Sequence, residues 1–428
     1  MTSAVWSLVI RLVGMVLAFG VGVQLARFLG PAGFGIYGVV LALATMLTAL
    51  AQLGLPTLAV REIARTRAEG DWPGLRSVLR WFGFGTASAG AVLAALFLAV
   101  IAFLPGITPL FRGTGLWAAF LIPVMALTIL LNAELRAFDR LLKGQSLEIL
   151  VRPGGMALLL LLLVLGHGWV TPSEAMAVNL AASIAAMALG LVWIRNALPA
   201  PARHVRPSPP PGHWLRAGLP LAATDVLRQL DAGYAVLVMG MIATATETGV
   251  LRVATSSIVI VATPLSLLHV VLAPTLARLH FEKERAKLQH LLGVAALLMT
   301  VGGLAGVAFI FLFGEWLIVL MFGAEYGAAW LPLLILAVAQ TVAAFFGVAF
   351  LLLGVAEGEH DLARAYFLGM AASIAAAFPL GFAWGGNGVA AAAVLGAFVY
   401  NGLCWRAVRR RLRLDASPIA LLRRSAPA

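Results

Sequence analysis

Residues 365–405 read AYFLGMAASIAAAFPLGFAWGGNGVAAAAVLGAFVYNGLCW, 41 consecutive positions without Asp, Glu, Lys or Arg, bounded by Arg364 and Arg406. A helix crosses the hydrocarbon of a bilayer with about 20 apolar residues. The stretch is therefore twice as long as one crossing needs, and at its middle Trp384-Gly385-Gly386-Asn387-Gly388 supplies a turn. The reading is two spanning helices folded back on each other.

The rest of the chain repeats that character. Of 428 residues, 62% are hydrophobic and only 11% are charged, and the 44 glycines bring the apolar share to about 72%, against a usual ~45–50%. A water-soluble fold could not hide so much apolar surface. Further charge-free runs lie between Arg27 and Arg61, Arg80 and Arg112, Arg112 and Glu134, Arg152 and Glu174, and Glu174 and Arg195. In the second half they lie between Arg252 and Arg278, Lys287 and Glu315, and Glu325 and Glu357. Two more spans carry charge: residues 5–26 around Arg11, and 215–241 around Asp225, Arg228 and Asp231. The expectation is an all-α polytopic membrane protein with twelve transmembrane helices, the first being a retained span rather than a cleaved signal peptide.

Lysine and arginine set the orientation. With the N-terminus inside, the segments near 61–80, 136–152, 195–216, 278–287, 364 and 406–424 hold 25 of the 30 basic residues, and the opposite side holds three, Arg27, Arg112 and Arg252. Both termini are expected in the cytoplasm. Ten tryptophans, among them Trp81, Trp193, Trp214, Trp330 and Trp405, fall near helix ends, as an interfacial belt does. Arginine outnumbers lysine 27 to 3, which suggests a GC-rich bacterial genome. Cys404 is the single cysteine, excluding an internal disulfide and a cysteine zinc site, and the seven histidines show no metal-ligand spacing. No basic segment interleaves with aromatics as nucleic-acid binding needs. No P-loop or nucleotide fingerprint is present, and no cofactor is expected.

Residues 196–213 hold six prolines and read as an extended, semi-stiff linker. The expected organisation is a six-helix lobe over 1–195, this linker, a second six-helix lobe over 214–406 and a basic tail over 407–428. The halves repeat: Leu55-Pro56-Thr57-Leu58-Ala59 matches Ala273-Pro274-Thr275-Leu276-Ala277, Phe34-Gly35-Ile36-Tyr37 matches Thr248-Gly249-Val250-Leu251, and Val9-Ile10-Arg11-Leu12 matches Val226-Leu227-Arg228-Gln229. Order and direction are kept, so the repeat is parallel.

Ala26-Arg27-Phe28-Leu29-Gly30-Pro31-Ala32-Gly33-Phe34-Gly35-Ile36-Tyr37 resembles the first-loop signature of polysaccharide-export flippases in the multidrug/oligosaccharidyl-lipid/polysaccharide superfamily. Leu230-Asp231 followed by Gly249-Val250, and Phe322-Gly323-Ala324-Glu325-Tyr326, extend the resemblance along nearly the whole chain, with Leu251 departing where the family often has tyrosine. The resemblance implies a MATE-like fold and a non-enzymatic flippase for a polyprenyl-diphosphate-linked oligosaccharide, serving a surface polysaccharide such as lipopolysaccharide O-antigen. The sequence also lacks the two extra C-terminal helices expected of lipid II flippases, which favours the oligosaccharide branch.

Ionisable groups inside spans usually face a cavity or a partner. Asp225, Arg228 and Asp231 stand at i, i+3 spacing, and one arginine cannot neutralise both acids. The surplus negative charge attracts a cation, H⁺ or Na⁺, as an ion-coupling site; the structural reading is an ion ladder locking the helix. Arg11 either snorkels to the inner headgroups or, as its match to Arg228 suggests, shares a cleft with Arg228 between the lobes. Gln24, Arg27 and Arg252 near the outer helix ends either contact headgroups or join them as substrate-binding residues. A guanidinium fork binds phosphate bidentately and stays charged at any depth. His269 reads as packed core. The basic tail reads as an anchor to anionic membrane lipid.

Two alternatives remain. A multidrug exporter would have the same fold, but a carrier of cationic drugs would need an acidic or aromatic cavity. A polysaccharide polymerase or ligase would need a sizeable external segment, and the external loops near 105–116, 167–174 and 314–328 are short and lack clustered acid–base residues.

Overall fold

The computed structural model describes residues 2–209 and 213–422; the remaining linker positions, 210–212, and the last part of the basic tail, 423–428, lie outside the described residues. The described chain is helical throughout, with no strand. In order the helices are α1 (Thr2–Ala51), α2 (Leu55–Glu69), α3 (Trp72–Phe103), α4 (Pro109–Ala137), α5 (Leu141–Ser146), α6 (Arg152–His167), α7 (Pro172–Ala197) and α8 (His213–Ile242). They continue as α9 (Ala245–Ser257), α10 (Val259–Phe281), α11 (Arg285–Phe322), α12 (Trp330–Phe345), α13 (Ala349–Val355), α14 (Glu359–Leu412) and α15 (Ile419–Leu422).

Nine helical stretches among the described residues are long and apolar enough to cross a membrane. Two of them are each a pair of helices. α1 breaks at Gly30, whose φ of 65° and ψ of 174° only glycine adopts readily, and Pro31 then starts the second helix with its φ already set. α14 breaks at Trp384 and Gly385, inside the turn expected from the sequence. The charged α8 completes the twelve spans. Large apolar side chains stand on the outside, Phe103 at 87% and Phe382 at 72% exposure, a surface that water would not tolerate and lipid does.

The chain forms two compact units, Met1–Leu237 and Val238–Ala428. The boundary falls inside α8 because the start of that helix packs on the first unit. Gly218 approaches the Leu53 carbonyl, and Trp214 is buried with its ring edge-on to Phe82, centroids 4.7 Å apart. Trp214 is thus core rather than a lipid-facing anchor. Trp330 and Trp405 also turn their indole N–H inward, to the Ile310 carbonyl at 2.9 Å and the Asp415 carboxylate at 2.8 Å. Trp6, Trp169, Trp316 and Trp384 are exposed as a belt requires.

The proline-rich segment is not an extended spacer over its described part. Ala200–Arg203 form a 3-10 turn, Ala202 is buried in the core that holds Leu75, Val78 and Trp214, and Ser77 donates to the Ser208 carbonyl at 2.9 Å. The segment folds along α3 because its alanine and apolar neighbours have a core to enter.

The second unit closes over its own end. After α14 the chain returns so that Asp415 pairs its backbone reciprocally with the Gln289 amide, at 2.7 and 2.8 Å. Its carboxylate accepts from Trp405 Nε1 and Ser417 Oγ, the latter at 2.7 Å. Leu421 of α15 then sits on Gly293 of α11. The described tail is therefore a strap docked on the unit, with Arg409 stacked 4.8 Å over the Trp405 ring and Arg411 ion-paired to Asp361.

Candidate functional site

Between α5 and α6 the helix widens into a π-turn, Leu147–Val151, where the Arg152 N–H reaches the Leu147 carbonyl five residues back. Pro153 explains the position: it has no N–H to offer and its ring crowds the preceding turn. α5, the π-turn and α6 form one continuous span over Leu141–Gly166. Glu148 and Arg152 are consequently inside a span, and not in the cytoplasmic segment where their spacing to Arg136 and Arg140 placed them. Two of the 25 basic residues counted on the cytoplasmic side, Lys143 and Arg152, lie within this stretch.

Both charges are partnered across the bundle. Arg152 Nε donates to Asn179 Oδ1 at 3.1 Å, and Asn179 Nδ2 donates to the Tyr37 hydroxyl at 2.9 Å. Asn179 and Tyr37 are 1% exposed, so the chain of bonds links α6, α7 and the second half of α1 where water cannot substitute. Tyr37 belongs to the signature stretch after Gly30, and this network is what its hydroxyl serves. Asn132 on α4 donates to Glu148 at 3.0 Å.

Arg11 opens onto the same neighbourhood. It lines a cavity of about 520 Å³ with Arg136, Asn132, Gln145 and Glu148. Gly14, one turn on, lies so close to Ile149 of the π-turn that any side chain there would overlap it. The buried Asn132 Oδ1 has no hydrogen-bond partner among the described residues. Two guanidiniums against one carboxylate leave the cavity net positive, suited to an anion bearing several oxygens.

The other expected site residues are placed as follows. Arg228 is exposed on α8 and does not line the Arg11 cavity. It lies within electrostatic reach of the half-buried Asp225 without closing an ion pair to it. Asp231 is exposed on the same helix. On α1, Arg27 is exposed and Gln24 half-buried, with the Gln24 Oε1 buried and without a partner among the described residues. Arg252 is half-buried on α9. His269 packs edge-on to Phe350 at 5.1 Å. Sequence reading missed Asn132, Glu148, Arg152 and Asn179. The available signal was the i, i+4 pair Glu148 and Arg152 around three apolar residues, just before Pro153.

Twelve spans in two compact units, with the break at Gly30, define an all-helical multi-pass membrane protein. The fold is similar to an inward-facing multidrug resistance MATE family transporter of the MOP superfamily, with a TM-score of 0.74 at 17% identity over 98% of this chain and 99% of the other. It is similar also to the lipid II flippase MurJ in an inward closed conformation, with a TM-score of 0.73 at 13% identity over 95% and 87%. No curated protein matches the sequence. The chain belongs to the polysaccharide biosynthesis protein family, whose profile matches residues 1–280.

Proposed function

We propose that the protein is a flippase of the bacterial inner membrane that moves a polyprenyl-diphosphate-linked oligosaccharide by alternating access of two lobes joined through residues 196–213. The observation that carries this reading is the Arg11 and Arg136 cavity, net positive, in a chain of a polysaccharide biosynthesis family. The diphosphate is the charged part that every such substrate carries, and arginine holds it without losing its own charge to the apolar surroundings. The isoprenoid tail stays in lipid while the glycan crosses through water-filled space. Gln24, Arg27, Arg228 and Arg252 take sugar and phosphate oxygens on the route. Asp225 and Asp231 exchange H⁺ or Na⁺ and couple a gradient to the motion. No covalent step is required of the chain.

The test is flipping of a fluorescent polyprenyl-diphosphate oligosaccharide in proteoliposomes, read by its protection from a membrane-impermeant quencher. Arg11→Lys keeps the charge but loses the fork, and the flipping rate is expected to fall about tenfold. A wild-type rate equal to that of protein-free vesicles overturns the reading; transport of cationic drugs instead would favour the exporter. Asp225→Asn and Asp231→Asn are expected to remove the dependence on an imposed pH or Na⁺ gradient, and full gradient dependence in both would reduce the α8 charges to a structural ladder. For topology, reporters after Ala428 and within 105–110 are expected to read cytoplasm and periplasm respectively, and the opposite pair reverses the orientation.

A further inference from the structure

The folded linker creates a second basic cavity, of about 670 Å³, walled by the start of α3, the end of α7 and the Ala200–Arg203 turn. Arg76, Arg80, Arg195 and Arg203 line it, and no carboxylate does among the described residues. Arg76 and Arg80 stand at i, i+4 on one face of α3, an arrangement that repels unless an anion sits between them. None of the four forms an ion pair within the described residues, and Arg203 is steadied by donating from Nε to the Leu198 carbonyl at 3.3 Å. The floor is apolar, from Leu79, Ile194 and Leu198. Trp81, beside Arg80, is 37% exposed, as aromatic residues are at headgroup level.

The second unit has a cavity of similar make, about 490 Å³, with Arg364, Arg406, Arg410 and Arg411. Asp361 lines that one and is ion-paired to Arg411. One of its four arginines is answered from within; none of the four in the first-unit cavity is.

We propose that the Arg76–Arg80–Arg195–Arg203 cavity is a binding site for a lipid headgroup carrying two phosphates. Four forks match the oxygens of a paired phosphate better than those of a single phosphodiester, and the apolar floor takes the first methylenes of the chain. The ligand is lipid-borne rather than soluble because apolar floor and arginine rim are presented together at headgroup level. The site holds independently of what the chain transports. Two sources share this chemistry, a bisphosphate membrane lipid and a polyprenyl diphosphate.

The experiment is native mass spectrometry of the full chain released from nanodiscs with added cardiolipin, polyprenyl diphosphate or phosphatidylglycerol. The wild type is expected to retain at least one of the two-phosphate lipids about tenfold more tightly than phosphatidylglycerol, and Arg76→Gln with Arg80→Gln to erase that margin. Arg195→Gln with Arg203→Gln gives an independent second variant should the first not fold, and thermal midpoints check both. Arg406→Gln with Arg410→Gln in the other cavity is expected to leave retention unchanged. Preference for cardiolipin identifies a membrane-lipid site, and preference for polyprenyl diphosphate an entry site for substrate; either supports the proposal. No preference over phosphatidylglycerol, wild-type retention by the folded first-unit variants, or an equal loss in the Arg406 and Arg410 variant overturns it.

Discussion

Two polar networks, one in each unit, sit at opposite kinds of location. In the first, Arg152, Asn179 and Tyr37 bond to one another between helices, with the last two all but inaccessible. In the second, the hub is Asp415, beyond the end of α14, with a side chain 15% exposed. A group bonded inside an apolar bundle has no substitute when its partner is removed, whereas one at the aqueous edge can turn to water. The first unit is thus brittle to polar substitution where the second is forgiving.

Arg152→Ala should break the contrast most visibly if it is wrong. It leaves Asn179 Oδ1 without its donor and takes one of two arginines from the neighbourhood of Glu148, Arg136 being the other, at a cost of about 3 kcal/mol, read as a large fall in the thermal midpoint of the solubilised protein. A midpoint within a degree or two of wild type would mean that water reaches the network. Next in size is Gly14→Val, which forces a side chain onto Ile149 and should cost about 1–3 kcal/mol unless the π-turn moves aside. The useful readout is whether lowered stability comes with reduced flipping, because the same close approach shapes the cavity of Arg11.

The smallest effect is expected from Asp415→Asn, about 1 kcal/mol, and it carries a pH signature. Burial pushes the Asp415 carboxyl up, but Trp405, Ser417 and Arg409 more than offset this and hold it below its ordinary value. Its stabilising contribution is therefore complete above the ordinary carboxyl value of about 4 and is lost as pH falls through the depressed one. Hydrogen exchange over 413–422 should accelerate in that acid range in the wild type. In Asp415→Asn the acid-dependent step should be missing; its persistence would assign the loosening to another group.

The sequence revealed what depends on long runs. The turn at Gly385 follows from a charge-free stretch too long for one helix, and a boundary between the first two spans from the charge at Arg27, three residues before the break at Gly30. What it hid depends on register within a span. Arg152 reads as a loop residue because Arg136, Arg140 and Lys143 precede it so closely, and the hydrogen-bond partner that helps make its burial tolerable, Asn179, stands 27 residues away. The linker misled for a similar reason: proline content describes an isolated chain, while Ala202 and Ser208 respond to a neighbouring helix that composition does not show. Of the candidate site, Arg11 was legible as a charge inside a span, but its companions Arg136 and Glu148 were not, since α4 and the π-turn meet only in three dimensions.

The strap from Arg413 to Leu422 bears on how this protein can be handled. A reporter or affinity handle joined after Ala428 leaves the Gln289–Asp415 pairing and the Leu421–Gly293 contact in place. One joined anywhere in 407–414, where the end of the last span invites it, would delete Asp415 and uncover α11. Serial truncations through this region would then register a folding defect of the second unit and mistake it for a membrane boundary.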